Sequence, residues 1–581
     1  MPYKFNPLSG KLDYYKDAAN LSVDDLITLS GVAEGDTDLG AFTGETIPDD
    51  QTIKAAIQAV ETALETVAGT IYEIGVPGDL GFGVAAYLGT LPTGFTALTG
   101  AADIRSDNYG NYQYADGSVM CWIPKFYYKI HTGAVLPANM AAIRPASYFA
   151  DTAAANAAGY ALHRAFIDGG AEKDGFFIDK YKCSKNALGA GFVASSIKNG
   201  NPISTHADHN PIADLTACTI NQYYETINAA HARDGVDGAV NASSIFFVAS
   251  RFQRAALALL SLAHAQAVSV AGPNCAWYNA SSNFPKGCND NALKDTNDTT
   301  VLYVSDGYSN AAKTGSGTPF NKTTHNGQAS GVADLNGDMY EISLGITAIA
   351  TSPAIAGITS AAAPVFTLVG HGLGVGDYVQ INAITQADWV NFKDKIWAVD
   401  TVPDPDSFTL VGAPDASGYA AYDAGTDPGT FTIGTFYVAK EATAMKDFTS
   451  GATLATDHWG ATGVAAMMEE FVPIFETAYP NNGFAQRLGS GTAQVLSGAV
   501  SGAAWVVAGL GFPLSAAGID TSGTAQFGQD YYYQYIINTL CLRSGGYWSA
   551  GSKAGVWDAA WSYSRTNSST DVGLRSACYP D

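Results

Sequence analysis

Apolar residues near the start of the chain recur with a helical period. They alternate spacings of four and three residues, the a/d rhythm of a coiled coil, at Ile53, Ile57, Val60, Leu64 and Val67. Asp49 or Asp50 can serve as N-cap and Gly69 as stop, so we predict a helix over residues 49–74. Two heptads are marginal as an isolated helix in water. The helix therefore either joins identical chains or packs on its own domain.

A second helical pattern lies in the middle of the chain, between strand-like runs. Apolar residues at helical spacing predict a helix over 244–267, namely Ile245, Val248, Phe252, Ala255, Leu259 and Leu262. Arg251 and Arg254 flank this apolar stripe. Residues 117–130 and 175–182 are apolar runs that begin at glycine and are typical of strands. These patterns predict a mixed α+β fold class.

Residues 346–440 differ in pattern from the chain on either side. Strand-like runs at 365–369 and 378–381 are separated by a glycine-rich turn, and further strands are expected at 397–399 and 407–410. We therefore predict a small β domain inserted into the surrounding fold. His371 lies in the turn, and we interpret it as a structural residue rather than a ligand.

Composition limits the partners of this chain. Its 581 residues are enough for two to four domains, and a hydrophobic fraction of 47% excludes wholesale disorder. The formal net charge of -24 repels polyanions, so nucleic acid is not an expected partner. The N-terminus lacks an apolar signal core and no run is apolar enough to span a membrane. We expect synthesis in the cytoplasm without membrane insertion.

The sequence contains no recognisable catalytic motif. The seven cysteines form no C-x-x-C pair and no metal-ligand spacing. There is no G-x-S-x-G nucleophile elbow, no H-E-x-x-H and no phosphate-binding loop. We predict that the protein is not an enzyme. A pair of carboxylates that hydrolyses a glycan leaves no sequence signature, so that alternative stays open.

Oxygen-bearing side chains cluster in one turn. Asp334, Asn336 and Asp338 alternate around Gly337, and Glu341 follows. Such oxygens suit a hard cation, although no glutamate stands at the twelfth position that an EF-hand requires. A turn that closes on a buried glutamate is the alternative.

Residues 545–575 combine glycine turns with alternating aromatic and small polar residues. Gly545-Gly546-Tyr547-Trp548 opens the stretch, which continues through Val556, Trp557, Trp561 and Tyr563. Rigid aromatics give contact area at low entropic cost, and small polar residues adapt to a ligand. This predicts a recognition surface. An ordinary hairpin with half-buried aromatics is the alternative.

Three segments carry a resemblance to a known family. The motifs Gly545-Gly546-Tyr547-Trp548, Ala554-Gly555-Val556-Trp557 and Gly573-Leu574-Arg575 resemble the end of the C-type-lectin-like fold. That fold is shared by formylglycine-generating-enzyme-like proteins and by the variable proteins of phages and diversity-generating retroelements. Residues 331–342 are similar to the "GVYDMNGNVWEW" segment of the family, and residues 175–182 look like its "FYIDKYEVT" opening.

The resemblance implies several properties. It makes Asn336, Gly337 and Glu341 candidate calcium ligands. The family's oxidases carry a cysteine pair in the interval that corresponds to residues 547–571, where this chain has none, so their copper-thiolate chemistry is not expected. Residues 346–440 look like the small β-barrel named for the first catalytic cysteine half (FCCH) of ubiquitin-activating enzymes, again without a cysteine.

We therefore expect a phage tail-fibre protein, because residues 5–13 also look like the openings of phage virion proteins. The expected order is a virion-attachment arm (1–48), a helix that forms a homotrimer (49–74), a C-type-lectin-like body (75–345 and 441–581) and the inserted barrel (346–440). The arm would bind other tail proteins of the virion, and the body a bacterial cell-surface protein or glycan. A depolymerising tail spike and a cellular retroelement-variable protein are the alternatives.

The resemblance also predicts which side chains face the ligand, with Trp557 and Tyr563 as anchors. These are the positions that depart most from the family's consensus: Tyr547, Ser549, Ala550, Lys553, Trp557, Asp558, Ala560, Ser562, Tyr563 and Ser564.

Overall fold

A computed structural model describes most of the chain. The described residues are 3–6, 11–14, 52, 55–60, 72–131, 140–206, 222–268, 284–307, 310–448, 467–477, 485–488, 509–513, 519–520 and 530–580. The chain divides into two compact units, Met1–Ile71 and Tyr72–Asp581. Helices and many strands give a mixed α+β class, as predicted. Within the described ranges, no helix is both long and apolar enough to cross a membrane.

The first unit contains a hairpin and a short helical segment. Strands β1 (Tyr3–Asn6) and β2 (Lys11–Tyr14) pair antiparallel. Residues 55–60 are helical, within the range predicted for 49–74. The predicted end is wrong, because residues 72–74 form a turn and irregular structure at the start of the second unit. Ile57 is 62% exposed and Val60 47% exposed. The other apolar positions of the heptad pattern lie outside the described residues, and the trimer stays a prediction.

The described residues at the start of the second unit form thirteen strands and three α-helices. The strands are β3 (Phe95–Ala97), β4 (Asn111–Tyr114), β5 (Val119–Pro124), β6 (Phe126–Ile130), β7 (Ala141–Pro145), β8 (Ala161–Leu162), β9 (Ile167–Asp168), β10 (Ala171–Glu172), β11 (Gly175–Asp179), β12 (Ser184–Leu188), β13 (Gly191–Ser195), β14 (Phe246–Val248) and β15 (Tyr340–Ile342). The helices are Thr152–Ala157, Thr226–His231 and Arg251–Val268.

The later strands form the inserted segment and the end of the chain. They are β16 (Ile346–Thr351), β17 (Gly357–Ile358), β18 (Phe366–Thr367), β19 (Tyr378–Asn382), β20 (Lys395–Ala398), β21 (Ser407–Phe408), β22 (Thr430–Ala439), β23 (Met468–Phe471), β24 (Ala485–Leu488), β25 (Ile519–Asp520), β26 (Tyr531–Tyr533), β27 (Arg543–Ser544), β28 (Ala559–Ala560), β29 (Val572–Gly573) and β30 (Ser576–Cys578).

A six-stranded sheet joins the beginning of the second unit to its end. Its order is β14-β30-β11-β5-β4-β3, so the last strand of the chain lies between β14 and β11. Cys578 of β30 is paired with Phe246 on one side and with Phe177 on the other. These two aromatics belong to a buried cluster with Trp122 and Phe95, which supplies the hydrophobic core on this sheet.

The helix Arg251–Val268 is shorter than predicted at its start. Residues 246–248, expected to be helical, form strand β14, because they pair with β30. The helix is buried from Arg251 to Gln266, including both arginines. Arg251 is held by neutral acceptors, among them Ser544 Oγ at 2.8 Å and Leu510 O at 2.9 Å.

The inserted segment has a hydrophobic core of its own. Two short sheets, β16-β22-β19-β20 and β17-β18-β21, surround it. Buried aromatics dominate this core, among them Phe366, Trp389, Trp397, Phe408 and Phe431. His371 accepts a hydrogen bond at Nδ1 from the Leu373 N–H at 2.9 Å, which agrees with its interpretation as a turn residue.

A seven-stranded sheet carries the stretch that opens at Gly545. Its order is β25-β24-β26-β28-β27-β15-β29, and it therefore brings together residues from 340 to 573. Strands β15 and β27 pair antiparallel, as do β27 and β28, whereas β26 and β28 run parallel. This sheet positions the candidate site.

Candidate functional site

Two glycines set the turn from which the site begins. Gly545 and Gly546 have φ of 95° and 74°, a region that favours glycine. A Cβ on Gly546 would lie 2.5 Å from Cβ of Ala554, and one on Gly545 would lie 2.5 Å from Nη2 of Arg254. The positive φ and the lack of room for a Cβ both require glycine at these two positions. The turn therefore fixes the position of Tyr547.

Side chains of the seven-stranded sheet divide between its two faces. Tyr533, Ala560 and Arg543 are cross-strand partners and so share one face. Tyr531 lies two residues before Tyr533 in β26, and Tyr340 lies two residues before Ile342, the cross-strand partner of Arg543, so both point the same way. We call this side the tyrosine face; its members are Tyr340, Tyr531, Tyr533, Arg543, Asp558 and Ala560. Asp558 is assigned to it because it lies two residues before Ala560, just ahead of β28. Burial first, and Asp558 second, raise the pKa of Tyr340 and of Tyr533.

The opposite face of this sheet is core. Trp561 is fully buried and packs on Phe512 and Phe436, with ring centroids 4.9 and 5.4 Å apart. Trp557 is also fully buried, and a Cβ on Gly511 would lie 2.1 Å from its ring. The predicted anchor role of Trp557 therefore disagrees with the structure, because its side chain lies in the interior.

Asp558 and Ala560 are also removed from the predicted ligand-facing set. Both have 0% exposure, although they lie on the tyrosine face, because other residues cover them. The remaining predicted residues reach solvent, and we call them the outer patch: Tyr547, Ser549, Ala550, Lys553, Ser562, Tyr563 and Ser564. Tyr563 is the most exposed large side chain among them, at 41%.

Arg543 connects the two tyrosines of the outer patch. Its guanidinium carbon lies 4.2 Å from the ring centre of Tyr563 and 4.5 Å from that of Tyr340, which stacks on Tyr547 at 5.6 Å. Nη2 of Arg543 donates to Oγ of Ser562 at 2.9 Å. A buried guanidinium between aromatic rings gives a strong cation–π contact and fixes both rings. Arg543 is thus the centre of this arrangement.

Lys553 extends the aromatic area on another side. Its Nζ lies 4.5 Å from the ring centre of Tyr531, which in turn contacts Tyr533 edge to face at 4.8 Å. Tyr223, from a distant segment, contacts Tyr563 at 6.2 Å. The outer patch therefore rests on further tyrosines.

Sequence reasoning missed these supporting residues. The run Tyr531-Tyr532-Tyr533 alternates across the sheet and was a usable signal, and Arg543 stands two residues before Gly545. Nothing in the sequence connects Tyr223 or Tyr340 to this place, because their contacts arise from strand order and loop packing.

Backbone hydrogen bonds hold the loop that carries Tyr547. The N–H of Trp548 donates to the carbonyl of Asp338 at 3.0 Å, and the carbonyl of Trp548 accepts from the N–H of Asn291 at 2.7 Å. The N–H of Gly551 donates to the carbonyl of Asn289 at 2.7 Å. These three bonds connect the loop to two separate segments, around Asp338 and around residues 289–291, so the loop is anchored at each end.

The segment that carries Tyr563 is anchored in the same way. The carbonyl of Tyr563 accepts a hydrogen bond from the N–H of Cys541 at 3.0 Å. Two residues later, the N–H of Arg565 donates to the carbonyl of Thr539 at 3.0 Å. Oδ1 of Asn567 accepts from the N–H and the hydroxyl of Ser564, both at 2.9 Å. The outer patch thus presents its side chains from a fixed backbone.

The predicted calcium ligands do not fit a cation. The carbonyl of Gly337 accepts from Nζ of Lys182 at 2.6 Å, and Nδ2 of Asn336 donates to the carbonyl of Pro285. Glu341 lies between Arg575 and Arg254, each with a nitrogen 3.1 Å from Oε2. Positive side chains take the places that calcium would occupy. No group of three or more acids, histidines or cysteines that could hold a metal occurs in the described part of the chain.

The acidic turn has a structural role instead. Oδ2 of Asp334 accepts from the N–H of Gly315, and Oδ1 of Asp338 accepts from the N–H of Ala312, both at 2.6 Å. Burial raises the pKa of Asp338 to about 6, against the opposing effect of Lys182. The alternative of a turn that closes on a buried glutamate agrees with this geometry. The turn also supports the outer patch, since the carbonyl of Asp338 holds the Trp548 N–H.

Asp558 is the buried acid of the tyrosine face. Neither carboxylate oxygen has a hydrogen-bond partner among the described residues. Burial first, and the neighbouring charge of Asp530 second, raise the pKa of Asp558 well above its usual range, although Arg251 opposes this shift. The folded protein therefore holds this proton at pH values where the unfolded chain releases it.

Replacement of Asp558 by asparagine should change the pH dependence of stability. Because folding raises this pKa, wild-type stability falls as pH rises above about 4, at up to about 1.4 kcal/mol per pH unit. Because asparagine cannot ionise, the stability of D558N does not fall with pH in this way. D558N should therefore match wild type near pH 4 and be more stable than wild type at pH 8. Urea unfolding at both pH values measures this. D174N, at a side chain that is 92% exposed, is the control. A less stable D558N at pH 8 would instead indicate an ionised Asp558 paired with Arg251.

Comparison with known proteins assigns no family to this chain. No protein-family model matches the sequence, and no curated protein is significantly similar to it.

Proposed function

We propose that the protein is a receptor-binding protein of a phage tail fibre that recognises a bacterial cell-surface protein or glycan through the outer patch of a C-type-lectin-like domain. The observation that carries this proposal is the pair Tyr547 and Tyr563, both partly exposed and both fixed through Tyr340 and the buried Arg543. Tyrosines held in this way lose little entropy on binding. The proposal gives the protein no enzyme activity.

The division between exposed and buried positions supports a surface that tolerates variation. Substitutions at exposed positions such as Ser549 usually change stability by under about 0.5 kcal/mol, whereas buried positions such as Trp557 are costly to change. Diversification by a retroelement would therefore be tolerated in the outer patch and selected against at Trp557, Asp558 and Ala560. Sequencing the 3′ end of the gene in several isolates measures this. Substitutions spread evenly over both groups would contradict a diversified outer patch.

Assembly of the fibre follows from the same proposal. Residues 1–48 attach to other tail proteins of the virion, and the helix that contains residues 55–60 joins three copies. The exposed Ile57 and Val60 support a helix with an apolar stripe available to another chain. Three identical patches on one fibre gain strength through effective concentration rather than through the affinity of each site. The protein would be assembled in the host cytoplasm and carried on the virion.

Loss of both tyrosines tests the outer patch. Y547A/Y563A should lower cell binding by at least about thirtyfold, because a binding hot spot contributes about 2 kcal/mol or more. Adsorption of purified protein to host cells is the measurement, with the melting temperature as a check on folding. Y148A is the matched control, since Tyr148 is an exposed tyrosine elsewhere in the same unit.

The outcome separates the candidate functions. Wild-type adsorption by Y547A/Y563A would remove the outer patch from the binding site. Release of soluble fragments from capsule or lipopolysaccharide by the wild-type protein would instead support a tail-spike enzyme.

A further inference from the structure

A cleft lies where the inserted segment meets the rest of the second unit. Its volume is about 510 Å³, within the range of about 300–1,000 Å³ typical of small-molecule sites. Strands β16 and β22, the turn at His371, the start of β19, and the end of β23 with the two residues that follow it line the cleft. It does not include any residue of the outer patch or of the tyrosine face.

The cleft exists because the long strand β22 changes its partner. Its first part pairs with β19 up to Thr432, and its last part pairs with β23 from Phe436 onward. Between them, Ile433, Gly434 and Thr435 pair, among the described residues, only with β16 on the other side. The two partner strands therefore separate and leave a gap of three residues along β22.

The gap turns a backbone amide toward the cleft. The N–H of Phe431 donates to Pro353 and that of Ala439 to Gly345, so odd-numbered residues of β22 direct their backbone groups toward β16. The alternation directs the N–H and the carbonyl of Gly434 to the opposite side, where the partner strand is missing. Position 434 requires glycine, since a Cβ there would lie 2.8 Å from Cβ of Ala350.

The gap is too short for a peptide strand. Three residues of a β-strand span about 10 Å. A strand added here would collide with the end of β19 at one side and with β23 at the other. The occupant is therefore a compact molecule and not an extended chain.

The lining fits a ligand that is rich in hydroxyl groups. Its polar side chains offer mainly oxygens, from the carboxylates of Asp377 and Glu470 and the hydroxyls of Thr351, Thr435 and Tyr378. Among the residues that the structure describes, neither lysine nor arginine lines it. The carboxylates accept hydrogen bonds from hydroxyl donors, and they repel phosphates and acidic sugars, as does the net charge of -24.

The apolar part of the lining fits the carbon face of a sugar ring. Ile349 is 40% exposed and Val472 is 68% exposed, and both line the cleft beside the half-buried Ile433. Apolar surface beside a few placed hydrogen-bonding groups is the usual arrangement of a small-molecule site.

We propose that this cleft is a second binding site, separate from the outer patch, and that it takes a neutral sugar or short neutral oligosaccharide. The carbon face of the ring packs on Ile349 and Val472. Its hydroxyls donate to the carboxylates of Asp377 and Glu470, and one of them accepts from the N–H of Gly434. This site does not depend on the function proposed for the outer patch.

Sugar binding by the full chain tests the proposal. The probes are glucose, galactose, N-acetylglucosamine and their disaccharides, with galacturonate as the acidic counterpart, measured by saturation-transfer NMR and titration calorimetry. At least one neutral sugar should bind with saturation in the millimolar range, and galacturonate at least tenfold more weakly. V472R and I349R place a bulky side chain on two different walls, and each should weaken that binding at least tenfold. V369R is the control, because Val369 is 74% exposed and does not line the cleft.

Two results would overturn the site. One is the absence of saturable binding by every neutral probe. The other is binding that survives both V472R and I349R but is lost in Y547A/Y563A, which would place the sugar on the outer patch. Melting curves of V472R and I349R establish that a loss of binding is not a loss of folding. If the cleft binds sugar and Y547A/Y563A adsorbs to cells as well as wild type does, this inference stands and the function proposed for the outer patch is wrong.

Discussion

Replacement of Glu341 by glutamine should destabilise the folded protein by about 3–5 kcal/mol, the usual effect of breaking a buried ion pair. The carboxylate of Glu341 contacts Arg575 through both of its oxygens, at 3.1 and 3.2 Å, and Arg254 at 3.1 Å. All three side chains are at most 2% exposed. Glutamine would leave two guanidinium groups buried without a negative charge.

The size of the effect also depends on the other hydrogen bonds that Arg575 makes. Nη1 of Arg575 donates to the carbonyl of Asp179 at 2.6 Å, and Nη2 donates to that of Ala333 at 2.8 Å. Arg575 thereby joins the two large sheets, since Asp179 ends β11 and Glu341 lies in β15. A shift of its guanidinium disturbs both sheets and the turn that supports the outer patch.

The pH dependence gives this prediction a second measurement. Burial alone would raise the pKa of Glu341, but Arg575 and Arg254 outweigh it and hold the pKa at about 2. Because folding lowers this pKa, the stabilisation is complete above the unfolded value of about 4.3 and is lost as pH falls toward 2. Urea unfolding should thus show a large difference between wild type and E341Q at pH 7 and a smaller one near pH 2.5.

A surface carboxylate provides the matched control for E341Q. Glu172 also faces a positive side chain, Lys125 at 3.5 Å, but its side chain is 44% exposed. E172Q should therefore cost less than about 1 kcal/mol. A loss of that small size in E341Q at pH 7 would contradict the assigned role of Glu341.

Replacement of Trp557 by alanine should destabilise the protein by about 3–5 kcal/mol, as expected for a large aromatic removed from a core. The ring is fully buried and lies against the backbone at Gly511. The N–H of Trp557 donates to Oδ2 of Asp530 at 2.9 Å, and its carbonyl accepts from Nη2 of Arg251 at 2.8 Å. Because the backbone is held on both sides, the loop cannot move in to fill the cavity.

Comparison with Tyr563 distinguishes a core residue from a contact residue. W557A should lower the melting temperature and lose cell adsorption only to the extent that it unfolds. Y563A should keep a melting temperature near that of wild type and lose adsorption. A W557A protein with wild-type stability and no adsorption would place Trp557 in contact with the ligand and contradict its burial.

The sequence determined which residues alternate in the key stretch, but not what covers each set. The period of two from Trp557 to Trp561 separates two groups of side chains, and that separation holds in the sheet. Burial of the Trp557 and Trp561 side depends on Phe436, Phe475 and Phe512, which come from distant parts of the chain. Asp558 and Ala560, on the other face, are fully buried as well. Alternation fixes opposite faces, whereas only packing across the fold decides how each of them is covered.

The glycine turn and the mixed fold class are features that the sequence determined by itself. A glycine pair at positive φ is a local requirement, and helical and strand periods are local patterns. The exception at 245–248 has a tertiary cause, because an apolar run of that length suits both a helix end and a strand. Pairing with β30, more than three hundred residues later, selected the strand.

The acidic turn shows that the sequence also leaves the partners of charged side chains undetermined. The sequence placed Asp334, Asn336, Asp338 and Glu341 together and indicated that their oxygens need positive partners. It did not identify those partners, since calcium, lysine and arginine satisfy the same local pattern. The tertiary structure supplied Lys182, Arg254 and Arg575. Local sequence thus determined the conformation of the turn and its demand for positive charge, while packing across the fold decided what meets that demand, because electrostatic partners are neighbours in space and not along the chain.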